Sequence, residues 1–414
     1  MMKPTLTLLL SFALLAGAEA QEWTRFRGPN GTGVSDSKGI PVTWTEKDFR
    51  WRVELAGSSH SQPVIWGNKI FVHSATPDEG RERMLFCLNK EDGKELWSKK
   101  LTLPTHKPGN NNSGYANSSP AVDADRVYAV FVAGDQFLVE AFDHSGKQIW
   151  KENLGAFESQ HGYGASPIVY DGKVIVTNDQ DGQSFIIALD VKTGKTVWKC
   201  ARHAIKQGTA YATPTIFERK GMATQILTSS QAHGLSGLDA KTGALLWEAK
   251  VFDKRAVSSP VLAGDLVVGT CGQGGGGSIL AAVKIGGNGD VTSSNVAYTI
   301  KQAVPYVPTP IAVGDRLYWV SDGGVANCAE AATGKLIWTE RIAEKAVFFS
   351  SPIAIDGKLY IASKSGEVVV FAASDTFKIL SKNPLGEGTF GTPCIDGDRM
   401  YVRTFTHLVC LGGK

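Results

Sequence analysis

The chain contains 414 residues, with 43 Lys and Arg against 40 Asp and Glu, so its formal net charge at pH 7 is +3. A charge this close to balance gives no electrostatic footprint for nucleic acid and no charged patch for a membrane surface. Its 43% apolar and 20% charged residues are typical of a globular protein, which excludes a DNA-binding protein, a polytopic membrane protein and a small disulfide-stapled toxin.

The first twenty residues have the pattern of a secretory signal peptide. Lys3 gives a basic start, an apolar run covers residues 6–16, and the small residues Ala18 and Ala20 predict cleavage before Gln21. A buried N-terminal helix is the alternative, whereas the apolar run is too short to span a bilayer. Because no cysteine lies near Gln21, we expect no lipid anchor and no membrane span. We expect the mature chain to be periplasmic or secreted.

A two-part unit recurs along the rest of the chain. Its first part is a small or hydroxyl residue, a Pro and an alternating apolar run with a Gly/Asp turn, as in residues 166–176. Its second part is an apolar strand, a Thr-Gly-Lys-like turn and a Trp, as in residues 188–198. The marker prolines of the eight units are Pro63, Pro120, Pro167, Pro214, Pro260, Pro310, Pro352 and Pro393.

Each unit contains four short alternating strands and no convincing amphipathic helix. Four-stranded units that repeat every 40–50 residues or so are the signature of propeller blades. The eighth unit ends one strand short, and residues 49–55, which carry Trp51 in register, can supply that strand. We therefore predict an all-β fold. It is an eight-bladed β-propeller of four-stranded antiparallel blades over residues 49–414, closed by an N-terminal strand and preceded by an arm over residues 21–48.

The turn of the second part carries a specific pattern, Asp-x-x-Thr-Gly-x-x-x-Trp, which residues 190–198 and 239–247 match fully. This pattern resembles the pyrroloquinoline-quinone-type (PQQ-like) repeat, and the resemblance runs from about Trp51 to Leu411. That family includes quinoprotein alcohol dehydrogenases, the propeller subunit of the bacterial outer-membrane assembly machinery, and a group of exported propellers. Residues 23–31 resemble the leader arm of this last group. The resemblance implies that the repeat tryptophans lie between neighbouring blades as structural residues, namely Trp51, Trp97, Trp150, Trp198, Trp247 and Trp338.

Strand alternation places the segments before the marker prolines together on one rim of the ring. These segments are rich in aromatic, histidine and amide side chains, which is typical of a binding funnel. The alternative is that the aromatic rings only plug the axis. Arg255 lies beside the candidate ligand-binding residues, which are His60, Asn117, His161, Tyr163, Tyr211, Tyr306, Phe349 and Phe390.

The resemblance implies particular features for a quinoprotein dehydrogenase. They are a pair of adjacent, disulfide-bonded cysteines beside the quinone and a Ca²⁺ held by Glu, Asn and Asp. The six cysteines include no adjacent pair, and no acidic cluster supplies the six to eight oxygens of a calcium site. A zinc site would require histidines from four distant blades to converge on the axis, namely His60, His161, His233 and His407. We therefore expect no catalytic residues, no metal and no cofactor.

These observations favour an exported, non-catalytic propeller that acts as a binding or scaffold protein through its axial rim. Its expected partner is a protein or a glycan, without nucleic acid. The alternative is a PQQ-dependent dehydrogenase with a divergent site, which would use PQQ with calcium.

Overall fold

The computed structural model describes residues 23–105 and 113–413. The predicted signal peptide and its cleavage site lie outside the described residues. The described chain forms eight antiparallel sheets around one axis, so the predicted eight-bladed β-propeller is confirmed. Its few helices are the 3₁₀ turns Pro29–Gly31 and Glu46–Asp48 and the single α-helical turn Thr292–Asn295. Among the described residues, no helix is long and apolar enough to cross a membrane.

Each blade has four strands, ordered from the axis outward. Blade 1 comprises Val64–Trp66, Lys69–Ala75, Glu82–Asn89 and Glu95–Thr102; blade 2 comprises Ala121–Val122, Arg126–Ala133, Gln136–Asp143 and Gln148–Asn153. Blade 3 comprises Ile168–Tyr170, Lys173–Asn178, Phe185–Asp190 and Thr196–Ala201; blade 4 comprises Thr215–Phe217, Gln225–Ser230, Gly234–Asp239 and Leu245–Ala249.

The second half of the ring repeats this order. Blade 5 comprises Val261–Ala263, Leu266–Gln273, Gly276–Lys284 and Val296–Ile300; blade 6 comprises Ile311–Val313, Arg316–Val320, Val325–Glu330 and Leu336–Arg341. Blade 7 comprises Ile353–Ile355, Lys358–Ala362, Glu367–Ala372 and Ile379–Pro384; blade 8 comprises Cys394–Asp396, Arg399–Arg403, His407–Gly412 and Phe49–Glu54. Two short strands pair in parallel with blades, Val34–Ser35 with blade 7 and Gly289–Asp290 with blade 4.

The N-terminal strand closes the ring as predicted. Phe49–Glu54 pairs antiparallel with His407–Gly412, and Trp51 lies opposite Cys410. The outermost strand of the last blade therefore comes from the other end of the chain, which ties the first and last blades together.

The hydrophobic core lies in the seams between blades rather than in one central mass. In blade 1 the second strand, Lys69–Ala75, is buried on both faces, because neighbouring blades cover both sides of the sheet. The outermost strand, Glu95–Thr102, alternates between exposed and half-buried residues. One core cluster joins blades 1, 7 and 8 and includes Trp23 and Trp44 of the arm.

The outer-strand tryptophans occupy these seams in a regular way. The ring of Trp198 lies across Gly243 in the turn of the next blade, where an added Cβ would come within 2.4 Å of the indole. Five indole N–H groups donate to a carbonyl of the next blade, from Trp51 to Lys90, Trp97 to His144, Trp150 to Val191, Trp198 to Ala240 and Trp338 to Ser374. Blade 5 has Tyr298 at this position, and its hydroxyl donates to Ala331 of blade 6.

Trp247 departs from this pattern. Its ring lies in the core cluster shared by blades 4 and 5, whereas its indole N–H donates to Gln225 Oε1 of its own blade at 2.7 Å. In blade 5 the connection between the third and fourth strands is longer than the usual Thr-Gly turn. Its strand Gly289–Asp290 runs beside Trp247, so the usual turn carbonyl is replaced there.

Residues 23–48 cross the ring and do not extend away from it. Backbone N–H groups of Ile65 in blade 1 and Ala354 in blade 7 donate to Trp23 O and Gly33 O, at 2.9 and 2.8 Å. In blade 4, Asn30 Nδ2 donates to Ile216 O and Asn30 Oδ1 accepts from Ile216 N. These blade residues each lie two positions after a marker proline, so the arm runs on the opposite side of the proline ring from the predicted binding rim.

Candidate functional site

The axis opens at the predicted rim into a cavity of about 730 Å³. Each blade contributes the residue that lies three positions before its marker proline, because the repeats are in the same register around the ring. These eight lining residues are His60, Asn117, Gly164, Tyr211, Val257, Val307, Phe349 and Phe390. The cavity volume lies within the range typical of sites that enclose a small ligand.

A ring of hydrogen bonds surrounds the base of the cavity. The residue immediately before each marker proline donates its backbone N–H to the hydroxyl of the equivalent residue in the next blade, at 2.8–3.0 Å. The seven bonds run through Gln62, Ser119, Ser166, Thr213, Ser259, Thr309, Ser351 and Thr392 in order. At the last seam, Gln62 Nε2 donates to Pro393 O.

The sequence analysis did not predict this ring of hydrogen bonds, although the residues that form it follow a regular pattern. A Ser or Thr precedes seven of the eight marker prolines, and Gln62 precedes the first. Buried backbone N–H groups need partners, and these hydroxyls supply them across each seam. The ring therefore holds the inner strands in one arrangement around the axis.

The arm forms the floor of the cavity. Phe26 lines its base, and the neighbouring Arg25 and Arg27 are buried below it. The Arg25 guanidinium donates to Pro214 O, and that of Arg27 donates to Pro352 O at 3.4 Å. Burial lowers the pKa of both side chains to about 9, and neither forms an ion pair with a carboxylate of the described residues. The floor therefore carries two positive charges at neutral pH.

One side of the cavity is basic and phenolic. Lys206 and Arg255 line it together with Tyr211 and Tyr306. Arg255 Nη1 donates to Gln160 Oε1 at 3.0 Å. Within the described chain, neither Lys206 nor Arg255 has a carboxylate within ion-pair distance. Burial raises the pKa of both tyrosines, so their hydroxyls stay protonated and can donate hydrogen bonds.

The other side of the cavity is aromatic. The Phe390 ring contacts His60 and Phe349, with centroids 4.4 and 4.8 Å apart, and Phe405 packs behind it at 5.2 Å. Burial lowers the pKa of His60 to about 4, so this imidazole is neutral at neutral pH. The Lys364 Nζ atom lies 5.3 Å from the centroid of the Phe390 ring. The cavity therefore combines a basic, phenolic side with a largely aromatic one.

The structure brings seven of the eight predicted ligand-binding residues to this cavity: His60, Asn117, His161, Tyr211, Tyr306, Phe349 and Phe390. Tyr163 lies elsewhere. It is buried in the core between blades 2 and 3, its ring centroid is 4.9 Å from that of Phe137, and its hydroxyl donates to Thr177 O at 3.2 Å. Since Gly164 lines the cavity, the adjacent Tyr163 side chain points into the seam.

Several lining residues were not predicted, among them Lys206, Phe26 and Gln160. Lys206 follows the outer strand of blade 3 in a loop without a repeat signature, and Phe26 and Gln160 also lie outside the repeat positions. Only the path of the chain in three dimensions brings them to the axis. Neither their residue types nor the sequence around them distinguishes them from other loop residues.

The lining does not fit the calcium-bound quinone that the resemblance implies for the dehydrogenases. Among the residues that the structure describes, no Asp or Glu lines the cavity. The nearby Asp181 accepts hydrogen bonds from Thr209, and Asp322 accepts two backbone N–H groups. Ca²⁺ takes six to eight oxygen ligands and draws heavily on carboxylates. In the described ranges no three His, Cys, Asp or Glu side chains form a group that could hold a metal, and all six cysteines are free.

Comparison with known proteins finds a family model described as outer membrane protein assembly factor BamB, which matches residues 44–270, 117–339 and 277–375. The chain is 23% identical over 330 residues to outer membrane protein assembly factor BamB of Moranella endobia, covering 76% of this chain and 78% of that protein. It is 25% identical over 387 residues to tetrathionate hydrolase of Acidithiobacillus ferrooxidans, covering 85% of this chain and 64% of that protein.

Solved structures show the same fold with little sequence identity. A europium-containing methanol dehydrogenase superposes with a TM-score of 0.70 at 13% identity, covering 92% of this chain and 89% of that one. At this identity the similarity establishes the fold alone. The similar proteins therefore include both an assembly factor and enzymes.

Proposed function

Because the chain belongs to the family described as outer membrane protein assembly factor BamB, we propose that it is an exported, non-catalytic protein that binds a protein partner. The partner occupies the axial cavity. The observation that carries this proposal is the lining of that cavity, to which all eight repeats contribute aromatic, amide and basic side chains but no carboxylate.

Rigidity of the site supports a binding role. The ring of hydroxyl hydrogen bonds and the arm beneath it fix the inner strands before any partner arrives. A site that is already ordered loses less conformational entropy when it binds, so more of the contact energy becomes affinity. A binding role also agrees with the name assembly factor that the relative from Moranella endobia carries.

A quinone-dependent dehydrogenase is the alternative, since a methanol dehydrogenase has the same fold. This alternative needs a site unlike the one that the resemblance implies, because the lining offers no carboxylate either for calcium or as a base. The binding role requires no group that the cavity lacks.

Site-specific photocrosslinking in the bacterium that encodes the chain tests the proposal. A photoreactive amino acid at Val257, on the cavity rim, is expected to form a covalent adduct with one discrete partner protein. The matched control is the same amino acid at Val197, an exposed residue on an outer strand, which should give no such adduct. Equal adducts at both positions, or none at Val257, would contradict the proposal.

A dye-reduction assay on the purified protein tests the alternative. After incubation with PQQ and Ca²⁺, the protein is expected to reduce no redox dye when alcohols are added. Sustained dye reduction that a chelator abolishes would overturn the non-catalytic proposal.

A further inference from the structure

The described part of the chain encloses the cavity from the sides and from below. The inner strands surround it, and Phe26 and the arm cross beneath it, so its open side is the rim. A chain end brings one length of polypeptide through the rim, whereas an internal segment has to bring two. A chain end or a small molecule can enter and become enclosed.

The charges of the cavity favour an anionic occupant. Lys206 and Arg255 are the cationic side chains of the lining, and Arg25 and Arg27 lie beneath its floor. Of the other titratable groups that line it, His60 is neutral at neutral pH and burial lowers the pKa of His161. Because no carboxylate of the described residues lines the cavity, its charged side chains attract an anion and repel an amino terminus.

The two buried arginines of the floor are only partly satisfied by hydrogen bonds. Arg25 Nε and both Nε and Nη1 of Arg27 have no hydrogen-bond partner in the described structure. A buried, unpaired donor costs free energy, and a bound anion above the floor would offset part of that cost through its charge.

Arg255 has the geometry for a carboxylate. Within the described residues its guanidinium donates one side-chain hydrogen bond, to Gln160, and Tyr211 and Tyr306 lie on the same side of the cavity. A guanidinium presents parallel N–H groups whose spacing matches the two oxygens of a carboxylate. Opposite this side, Phe349 and Phe390 offer an apolar surface.

We infer that the cavity takes the carboxyl-terminal end of a partner polypeptide. The terminal carboxylate lies against Arg255, and an apolar last side chain packs on Phe349 and Phe390. This inference rests on the proposed binding function and names the part of the partner that is bound.

Calorimetric titration of the purified chain with short peptides tests it. The probe is acetyl-Gly-Ala-Phe with a free carboxylate, compared with the same peptide as its carboxamide. Because charge-assisted hydrogen bonds are worth more than neutral ones, the acid is expected to bind about tenfold to a hundredfold more tightly than the amide. A longer peptide with the same three residues in its middle is expected not to bind.

Variants locate the effect. Arg255→Gln should weaken the acid much more than the amide and so remove the preference for the acid, whereas Phe349→Ala should weaken both peptides. The matched control is Arg50→Gln on the outermost strand of blade 8. Arg50 forms an ion pair with Glu91 in a turn of blade 1 and does not line the cavity, so this variant should behave as the unsubstituted chain. Thermal unfolding of each variant checks that it is folded.

Several results would overturn the inference. Equal binding of acid and amide would show that the site does not recognise a carboxylate. Binding of the peptide with the internal sequence would show that it does not require a chain end. Acetyl-phenylalanine binding as tightly as the peptide would assign the site to small carboxylates instead. If no peptide binds while photocrosslinking at Val257 still captures a partner, this inference fails and the proposed function stands.

Discussion

At the residue scale, Asp322 controls the part of the rim that blade 6 contributes. Its carboxylate accepts the backbone N–H of Tyr306 at 2.6 Å and of Val307 at 3.2 Å, and both of these residues line the cavity. Burial nevertheless raises the pKa of Asp322 to about 6 from 3.8, since the two hydrogen bonds compensate only part of the desolvation.

This shift predicts a pH dependence of stability. A carboxyl group that is easier to protonate in the folded state lowers the free energy of unfolding as the pH rises from about 3.8 to 6. The loss is at most about 3 kcal/mol and is complete above pH 7. Urea unfolding measures the free energy of unfolding of Asp322→Asn and of the unsubstituted chain at pH values from 4 to 8. The stability of the variant relative to the unsubstituted chain should therefore increase with pH up to about pH 7. A difference that is constant with pH would show that Asp322 ionises normally.

The tyrosine before Gly164 illustrates a second effect at this scale. Sequence reasoning grouped Tyr163 with the rim because of its residue type and position. The side chains of successive residues in extended chain point to opposite sides, so only one of Tyr163 and Gly164 can face the axis. Gly164 does, and the larger ring fills the seam between blades.

At the element scale, the seam between two blades depends on a Trp of one blade and a Gly of the next. Gly243 has a φ of +75° and lies against the Trp198 ring, so this turn requires glycine both for its conformation and for its lack of a side chain. Gly172, in a turn of blade 3, has a similar φ of +70° but no atom within 4 Å of an added Cβ. A comparison of the two glycines therefore separates the cost of the left-handed conformation, which both share, from the cost of the close contact, which only Gly243 has.

We therefore expect Gly243→Ala to destabilise the protein more than Gly172→Ala does. The left-handed conformation alone costs an alanine about 1–2 kcal/mol, and the contact with Trp198 adds about 1–3 kcal/mol at Gly243. Denaturant unfolding measures both values. In a Trp198→Leu background the extra cost at Gly243 should disappear. If the two alanine variants are equally stable in the unsubstituted chain, the ring does not pack on Gly243.

At the scale of the whole molecule, the fold depends on closing the ring. Phe49–Glu54 covers the edge of His407–Gly412, and the arm before it covers the inner edges of blades 1, 2, 4 and 7. An uncovered strand edge pairs readily with other chains. The first residues of the described chain therefore close both the last blade and the lower end of the axis.

Complementation in trans tests the role of the closing strand. A chain that begins at residue 56 is expected to self-associate and to unfold at a lower temperature, because its eighth blade lacks the outermost strand. Adding a peptide of residues 23–55 should restore the original association state and unfolding midpoint. A peptide of residues 23–48, which lacks Phe49–Glu54, is the control and should not. Light scattering and calorimetry measure both properties, and equal rescue by the two peptides would contradict the closure.

The repeat made much of this architecture predictable. Eight Pro-marked units specify eight blades, and the incomplete eighth unit together with Trp51 predicts the closing strand. These features follow from local periodicity, because each unit alternates apolar and polar residues within its own four strands. The position three before each proline likewise predicts eight cavity residues by register alone, including His60, Tyr211 and Phe390.

Tertiary structure decided what the repeat does not encode. The arm has no periodicity, and its path across the axis is set by contacts such as Asn30 with Ile216, residues far apart in the chain. Lys206 reaches the cavity from an irregular loop, and Trp247 changes its partner because one connection is longer. Sequence by itself determined the number, composition and closure of the blades, since those depend on neighbours along the chain. The floor and the charge of the cavity depend on segments that meet only in the folded ring.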